Sequence, residues 1–556
     1  MAQRTLLFLG ASISQRPAIK HARAAGYRIV AVDGDPNAIA FGDADVAEVV
    51  DFTDVEQVTA VAARLQVDGV LAISTDRAVV PAAAVAAALG LPSIGVEVAE
   101  RFTNKAVMRR RLAEAGIAQP RSRVISASDD VEAALAALTM PLVLKPTDSG
   151  GQRGLFMVES AAEIHARLDE TLALSRSGQA ILEEYLDGVE LNGLIAVRGC
   201  EPTLLTLSDR LRPAGIGFGV GWIHSFPSSL PSDTLEEVRD VAFAAIRALG
   251  LRDGIAFPQL IATAEGVRMI EVAARIAAGQ MADLVELGTG ISLFDIAIAQ
   301  ALGDDVPEQL VTPRFMRPIA IRFLTASPGV LPVGTVSSID RLELVRDSPG
   351  VLAASLYVGV GSTIRPVQVD ADRSGYVIAT AATPAKALEL ADRAARKLVV
   401  RAAAPMRPRK PPQRRRYLVG GLAAIVLGTA LVFALNTGPK LNRALIASER
   451  VDSQVSPTCR CPRDLAHIAF RLLHPGRVTL ELVNRAGRPV ATVVRDRLLS
   501  GGLKRFVWRG RDAFGQVLPT GAYRPEVVFD ALHRSQLFPR SIQVDRTPQP
   551  TVMRYG

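Results

Sequence analysis

A lysine followed by a glycine-rich loop is the first feature of this sequence that could do chemistry. Pro141–Leu144 is an apolar run typical of a buried strand, Lys145 follows it, and Gly150, Gly151 and Gly154 lie in the loop beyond. Backbone N–H groups in such a loop can turn toward an anion, and glycine permits a close approach, so the stretch suits phosphate. The lysine precedes the glycines, which excludes a Walker loop. The alternative is an ordinary glycine-rich hairpin.

Several other charged residues have chemistry that could serve a bound phosphate or hydroxyl group. Lys105 begins an amphipathic helical pattern, and the segment ILEEYLDG contains Glu183 and Glu184. Glu271 and Arg275 lie in the segment IEVAAR. Cations suit phosphates, whereas carboxylates accept from amino and hydroxyl groups. A lone Lys105 is more typical of a solvated surface, but Glu271 inside an apolar strand requires a partner.

The elements that position these residues begin with alternating strands and helices. Apolar runs at Thr5–Leu9, Tyr27–Val32 and Gly69–Ile73 are separated by helical patterns. This alternation predicts a parallel sheet with ligand-facing loops at the strand ends. Gly10–Ser12, Thr75–Asp76 and Arg210–Gly221 are predicted to help build an acceptor pocket. The loop GASISQ lacks the three glycines of a Rossmann dinucleotide site. Gly254–Gln280 predicts a hairpin and then a helix, and residues 316–403 predict a β-rich piece closed by a helix ending at Val399.

Charge separates the C-terminal part of the chain from the rest. The net charge of the whole chain is +8. Residues 440–556 have a net charge of +11, so residues 1–439 have a net charge of −3. No basic stripe with interleaved aromatic residues is present, which argues against nucleic acid as a partner.

An uncharged apolar segment, Tyr417–Leu435, covers 19 positions. As a helix it would cross roughly 28 Å of hydrocarbon. The basic, proline-rich run at 404–416 precedes it, so the positive-inside rule places the N-terminal part in the cytoplasm. We therefore predict a single-pass protein of the bacterial inner membrane, with residues after 436 outside.

The outer part is predicted to be an all-β sandwich, because alternating runs are separated by turn sequences. The stretch GGLKRFVWRGRDAFGQVLPTGAYRPEV resembles the Ig-like module of flagellar hook-capping proteins. The residues that would define that fold are Trp508, Gly515, Gly521 and Tyr523. An envelope component is the partner that this location implies. Cys459 and Cys461 form a C-x-C pair, for which a strained intramolecular disulfide and an intermolecular one both remain open.

The order of the motifs in residues 5–400 resembles the ATP-grasp superfamily of carboxylate–amine ligases. The similarity is to glycinamide ribonucleotide synthetases, biotin carboxylases and amino-acid ligases. In these enzymes ATP phosphorylates a carboxylate, and an amine or similar nucleophile then attacks the acyl phosphate. The resemblance implies ATP and Mg²⁺ as cofactors and a small-molecule carboxylate and amine as substrates. A second copy of the chain is a further partner to consider.

The resemblance also implies a role for each matching residue. Arg275 and Lys145 would be catalytic, with Arg275 aimed at the transferring phosphoryl group, and Glu271 and Gln259 would hold the metal. Glu183 and the backbone around Tyr185 would contact adenine. The implied nucleotide-binding residues are Lys105, Lys145, Ser149, Gly150, Gly151, Gly154, Glu183, Glu184, Tyr185, Leu186 and, at the ribose, Glu190.

Two positions depart from the family pattern. Ala273 stands where the second metal ligand is usual, and Gln259 is neutral where an acidic ligand is usual. Mg²⁺ tolerates few protein ligands when water and phosphates complete its shell, so ligase activity remains the leading hypothesis. The alternative is a degenerate ATP-binding sensor or scaffold coupled to an envelope-binding Ig-like module.

The resulting fold prediction combines an α/β domain, an α+β ATP-grasp fold with a small β-rich lobe, a transmembrane helix and an Ig-like sandwich. The predicted boundaries are 1–102 for the pre-ATP-grasp domain, 103–315 for the ATP-grasp domain, 316–403 for its β-rich lobe, 404–416 for a linker, 417–435 for the membrane helix, 436–464 for a second linker and 465–547 for the Ig-like domain.

Overall fold

The chain forms two compact units, Met1–Arg409 and Lys410–Gly556, in a computed structural model. The structure describes residues 3–127, 129, 131–212, 219–403, 446–458, 464–473, 476–484, 489–512, 516–529, 534–538 and 540–546. The predicted membrane segment 417–435 and the cysteines Cys459 and Cys461 lie outside these residues. No helix within the described ranges is long and apolar enough to cross a membrane.

The N-terminal domain is a parallel sheet with flanking helices, as the alternating pattern predicts. Its elements are β1 (Thr5–Leu9), α1 (Arg16–Ala24), β2 (Arg28–Asp33), β3 (Val46–Val49), α2 (Val55–Arg64), β4 (Gly69–Leu71), α3 (Val79–Leu89) and α4 (Val96–Thr103). The strands pair in the order β3-β2-β1-β4. Every residue of β1 is buried, which explains its uninterrupted apolar sequence because helices cover both faces of such a sheet.

A small antiparallel sheet follows and contains the strand that ends in Lys145-Pro146. The elements are α5 (Lys105–Glu114), β5 (Ser122–Ile125), α6 (Val131–Leu135), β6 (Leu142–Pro146), β7 (Phe156–Val158), α7 (Ala161–Ala173) and β8 (Ala180–Glu184). The strands pair in the order β5-β8-β6-β7. All five residues of β6 are buried, so this strand holds the lysine firmly at the start of the glycine loop.

The largest sheet of the first unit supplies the opposite part of the site. Its order is β13-β12-β9-β10-β11-β14-β18-β16, and a smaller sheet pairs β17-β15-β19. The elements are β9 (Val189–Arg198), β10 (Glu201–Leu211), β11 (Ile223–Phe226), α8 (Ser232–Leu249), β12 (Gly254–Thr263), β13 (Gly266–Ala273), α9 (Met281–Thr289), α10 (Leu293–Leu302), β14 (Ile319–Leu324), β15 (Gly334–Asp340), α11 (Leu342–Arg346), β16 (Val351–Leu356), β17 (Thr363–Ile364), β18 (Gly375–Thr380), α12 (Pro384–Ala395) and β19 (Val399–Ala403).

Two predicted helix boundaries are wrong. Residues 274–280 form a loop and α9 begins only at Met281, because Gly279 and Gln280 adopt left-handed φ values of 75° and 61°, which interrupt a right-handed helix. The C-terminal helix stops at Ala395 instead of Val399. Val399 begins a strand that pairs with β15, and β-branched residues favour that environment.

The second unit contains two sheets, with the orders β20-β22-β25 and β21-β28-β26-β23-β24. The strands are β20 (Ile446–Val451), β21 (Gln454–Val455), β22 (Ala466–Leu472), β23 (Gly476–Val483), β24 (Pro489–Leu499), β25 (Gly502–Trp508), β26 (Gly521–Phe529), β27 (Arg534–Leu537) and β28 (Ile542–Val544). Residues from both sheets share a hydrophobic core that includes Phe470, Trp508 and Phe538. The described residues of this unit therefore have the all-β organisation that the alternating runs predict.

Candidate functional site

Lys105 and Lys145 lie beside the glycine loop in the first unit. Lys145 is in β6 and Lys105 begins α5, and both are buried. The Asn104 side chain accepts two backbone N–H groups of the first turn of α5, which fixes the start of the helix at Lys105. Lys105 Nζ donates to the carbonyl oxygen of Ser149 at 3.0 Å. The two predicted phosphate-contacting lysines are thus attached to the same loop.

The glycines of this loop meet two different requirements. Gly151 and Gly154 each have a φ of +69°, in the left-handed region that glycine enters without strain. A Cβ on Gly150 would lie 2.7 Å from Asp76 Oδ2, so this glycine permits a close approach to the N-terminal domain. A side chain at Gly150 would therefore crowd Asp76, and one at Gly151 or Gly154 would strain the backbone.

Glu183 forms a buried triad with Lys145 and Arg109. Its Oε2 lies 2.7 Å from Lys145 Nζ, and its Oε1 lies 2.8 Å from Arg109 Nε. Burial acts to raise the pKa of Glu183, but Arg109 and Lys145 outweigh it and lower the pKa to about 2. For Lys145, burial and the nearby Arg109 lower the pKa despite the attraction of Glu183. The expectation that Glu183 contacts adenine is corrected accordingly, because both of its oxygens position cations.

The predicted metal ligands lie side by side on neighbouring strands. Gln259 on β12 pairs with Glu271 on β13 and, on its other side, with Asn192 on β9. Gln259 Nε2 donates to Asn192 Oδ1 at 3.4 Å, and Glu271 Oε1 lies 3.1 Å from Lys105 Nζ. Burial lowers the pKa of Lys105, but Glu271 and Asp76 outweigh it, so the pKa is raised.

The side-chain oxygen atoms of these residues fit magnesium only together with water and the phosphates of a bound molecule. No group of three His, Cys, Asp or Glu side chains that could hold a metal occurs in the described part of the chain. Mg²⁺ often binds through one or two carboxylates together with water and substrate phosphates. Glu271 would be that carboxylate, with the neutral oxygens of Gln259 and Asn192 beside it, and the ion would supply charge neutralisation at the phosphates.

Arg275 is held by the N-terminal domain. Its Nε and Nη2 donate to Asp76 Oδ1 and Oδ2 at 2.8 and 3.0 Å. Burial acts to raise the pKa of Asp76, but Arg275 and Lys105 outweigh it and lower the pKa. Asp76 therefore stays ionised and orients Arg275 through a bidentate pair. An anion that binds Arg275 must share or replace this carboxylate.

The remaining predicted residues, Tyr185, Leu186, Glu184 and Glu190, also line the site. Glu184 Oε1 lies 2.6 Å from an Arg121 nitrogen, and Glu190 is paired with Arg210 at 2.5 Å and with Arg212. The sequence analysis did not anticipate that these glutamates are paired with arginines. A ribose hydroxyl at Glu190 would therefore join an existing ion-pair cluster instead of meeting a free carboxylate.

His224 and Asn192 are buried site residues that the sequence analysis did not single out. His224 Nδ1 lies 3.0 Å from Asn192 Nδ2. Burial, with Arg210 and Arg373 nearby, lowers the pKa of His224 well below its usual 6.5, so the imidazole is neutral at neutral pH. The only available signal was a polar residue inside each of two apolar strands, β9 and β11.

These residues surround one cavity of about 530 Å³, a size usual for small-ligand sites. Thr75 and Asp76 line it, as expected of an acceptor pocket. Gly10–Ser12, which were expected there too, are not part of its lining. Their backbone instead organises the end of β1, where Ala11 N–H donates to Asp33 Oδ2 at 2.8 Å.

Two family matches cover most of the residues that line this cavity. Residues 104–309 match the family "Carbamoyl-phosphate synthase L chain, ATP binding domain", and residues 322–403 match "L-amino acid ligase C-terminal domain 2". These parts of the chain are similar to the ATP-grasp superfamily. The ATP-grasp fold predicted for the first unit is confirmed by solved structures that share it.

Individual sequence relatives and solved structures show the same similarity. An uncharacterized protein, y4rH, of Sinorhizobium fredii is 29% identical over 308 residues, or 55% of this chain and 62% of its own length, so the chain spans less than two thirds of that relative. The L-amino acid ligase of Bacillus licheniformis has a TM-score of 0.62 at 18% identity, covering 72% of this ATP-grasp chain and 99% of its own.

The ligand prediction also agrees with a solved relative. The biotin carboxylase domain dimer of the 2-oxoglutarate carboxylase of Hydrogenobacter thermophilus contains MgADP, ADP and bicarbonate. It has a TM-score of 0.56 at 17% identity and covers 68% of this chain and 86% of its own. ATP and Mg²⁺ are thus confirmed as the cofactors expected for this fold.

Proposed function

We propose that the protein is an ATP- and Mg²⁺-dependent carboxylate–amine ligase. The observation that carries the proposal is the convergence of Lys105, Lys145, Glu271 and Arg275 with the glycine loop around one cavity. Phosphoryl transfer depends on positioning and charge neutralisation more than on covalent help from the protein. Three cations and one carboxylate available to a metal supply these needs.

The proposed reaction has two steps. A carboxylate oxygen of the first substrate attacks the γ-phosphorus of ATP, the bond to the β,γ-bridging oxygen breaks, and ADP leaves. The amine nitrogen of the second substrate then attacks the acyl carbon, inorganic phosphate leaves and the nitrogen loses a proton. Lys105 and Lys145 would hold the phosphates, and Arg275 would bind the transferring phosphoryl group. The family description of residues 322–403 favours amino acids as substrates.

The nucleotide half of the proposal assigns the hinge to the base and ribose. Tyr185 N–H donates to Pro141 O at 3.0 Å, which attaches the hinge to the strand leading to Lys145. We place adenine along Tyr185–Leu186 and the ribose near Glu190. Glu183 supports the phosphate end by holding Lys145, so its role in the site is indirect.

A phosphate-release assay tests the proposal. Full-length protein is incubated with Mg-ATP and panels of amino acids, and products are identified by mass spectrometry. We expect ADP, phosphate and a ligated product from one combination, with Lys145→Met and Arg275→Met slowing formation by about a hundredfold or more. Absence of turnover over a broad panel, together with no rise in melting temperature on adding ATP, would refute it.

The competing function is a nucleotide-binding sensor without catalysis, which Ala273 and Gln259 favour. A neutral amide beside a single carboxylate binds a metal more weakly than two carboxylates do. In that case Mg-ATP binds and Lys145→Met weakens binding, but the wild type releases no phosphate with any substrate pair. The same assay therefore separates the two functions.

We also propose that residues 417–435 anchor the protein in the inner membrane, with the ligase cytoplasmic and an Ig-like domain outside. The apolar length and the basic run before it support this arrangement. Tyr523 Oη donates to Pro519 O, four residues upstream, at 2.9 Å, a contact like the tyrosine corner of Ig-like sandwiches. An envelope component would be the partner of the outer domain. Labelling of Cys459 and Cys461 by a membrane-impermeant reagent in intact spheroplasts tests the orientation, and protection until lysis would contradict it.

A further inference from the structure

A second cavity, of about 680 Å³, lies in the first unit. Its apolar wall comes from Val79 and Ala83 on α3 and from Ile94 beyond that helix. Ile276 and Val306 line it from the ATP-grasp part of the chain. Of the residues assigned to the phosphates, the base or the metal, only Arg275 also lines this space. The proposed reaction therefore does not account for the rest of the cavity.

Arg198, at the end of β9, brings a positive charge to this cavity. Its Nη1 donates to the carbonyl oxygen of Val306 at 3.1 Å, while its Nε is buried and has no hydrogen-bond partner. Within the ranges that the structure describes, no ion pair connects Arg198 to a carboxylate. An anion in the cavity would compensate the charge of this unpaired guanidinium.

Carboxylates occur at the rim of the same cavity. Asp253 and Asp305 line it and are exposed. Asp253 Oδ1 accepts from Gly199 N–H at 2.8 Å. One rim carboxylate is therefore held by the residue that follows Arg198 in the chain. The cavity thus combines a half-buried cation, an apolar wall and exposed anions.

The two cavities share a wall. Arg275 lines both of them, and Ser74 N–H donates to Ile276 O at 3.0 Å, joining the wall to the N-terminal domain. Arg275, which precedes Ile276, and Asp76, two residues after Ser74, form the bidentate pair in the nucleotide cavity. A molecule packed against Ile276 therefore lies directly behind the groups that orient Arg275.

We propose that the second cavity binds a small zwitterion with a branched aliphatic body, such as a free aliphatic amino acid, as a ligand distinct from the substrates. Its carboxylate pairs with Arg198, its ammonium group meets Asp253 or Asp305, and its side chain packs against Val79 and Ala83. Binding there is suited to modulating the nucleotide site through the shared wall.

Calorimetric titration of full-length protein saturated with Mg-ADP tests the site. The probes are leucine, 4-methylpentanoate, which lacks the ammonium group, and 3-methylbutylamine, which lacks the carboxylate. We expect leucine to bind, and each analogue to bind about tenfold or more weakly, because each loses a charge-assisted contact. Equal binding of leucine and either analogue would overturn the zwitterion assignment.

A matched pair of arginine variants locates the bound leucine. Arg198→Met should weaken leucine binding about tenfold or more. Of the two cavities, Arg373 lines only the nucleotide cavity, so Arg373→Met should leave leucine binding unchanged. Ala83→Met should abolish binding by filling the apolar wall, and it provides a second test if Arg198→Met does not fold. The proposal fails if the wild type does not bind leucine. It also fails if Arg373→Met removes binding while Arg198→Met retains it, since the amino acid then occupies the nucleotide cavity.

Discussion

Replacing Glu183 by glutamine should strongly destabilise the first unit. The substitution keeps the shape of the side chain but removes the charge between Lys145 Nζ, at 2.7 Å, and Arg109 Nε, at 2.8 Å. Two buried cations then remain without a counter-ion. Breaking a buried ion pair costs about 3–5 kcal/mol of unfolding free energy.

The pKa of Glu183 gives a second, independent magnitude. It falls from an ordinary 4.5 to about 2, a difference that corresponds to about 3 kcal/mol. Because the folded pKa is the lower one, this stabilisation is present above about pH 4.5 and is lost as the pH falls toward 2. The gap in stability between wild type and Glu183→Gln should therefore be constant at neutral pH and shrink in acid.

Tryptophan fluorescence during urea unfolding measures this effect. The chain has two tryptophans, and in a Trp508→Phe background only Trp222, which is buried in the first unit, reports. Glu184→Gln is the matched control, because Glu184 is the next residue and pairs with the largely exposed Arg121. We expect the control to cost about 0–1 kcal/mol. Equal shifts of the two unfolding midpoints would refute the buried triad as a source of stability.

Three further outcomes are expected. Gly150→Ala should weaken ADP binding about tenfold, because the added Cβ would lie 2.7 Å from Asp76 Oδ2. Gly42→Ala is the control and should leave the affinity unchanged, because its added Cβ would meet nothing within 4 Å. Equal affinities of the two variants in calorimetry would contradict the close approach. Mg²⁺ should enhance ADP binding, and Glu271→Gln should reduce this enhancement about tenfold without changing the ADP affinity measured in the presence of a metal chelator. An equal loss of ADP affinity with Mg²⁺ and with chelator argues against a metal role for Glu271. Burial and then Glu286 raise the pKa of Asp283 to about 6, so ionisation of Asp283 lowers the stability of the fold as the pH rises from about 4 to above 6. Asp283→Asn should therefore raise the melting temperature near pH 8 but not near pH 4. A change in melting temperature that does not depend on pH excludes this cause.

The predicted organisation of the first unit was largely correct because it depends on local pattern. The buried strand β1 and the helix that starts at Asn104-Lys105 follow from apolar runs and a capping residue. The loop at 274–280 was mispredicted as helical, because the left-handed conformation of Gln280 does not follow from its residue type.

The motifs with chemical roles were identified from residue types in order along the chain. That order was sufficient to place Lys105, Lys145, Glu271 and Arg275 in one superfamily and to predict ATP and Mg²⁺. What each side chain contacts was not available from the order, because Asp76 and Arg275 are 199 positions apart and Arg109 and Glu183 are 74 apart.

The sequence alone therefore determined the fold class of the first unit, the alternating strands of the second and the charged residues of the nucleotide site. Only the tertiary structure decided that Glu183 positions Lys145, that Asp76 orients Arg275 and that Arg198 faces a second cavity. The physical reason is that strand patterns and caps are set by neighbours in the chain, whereas the pairing of buried charges depends on which distant elements the fold packs together.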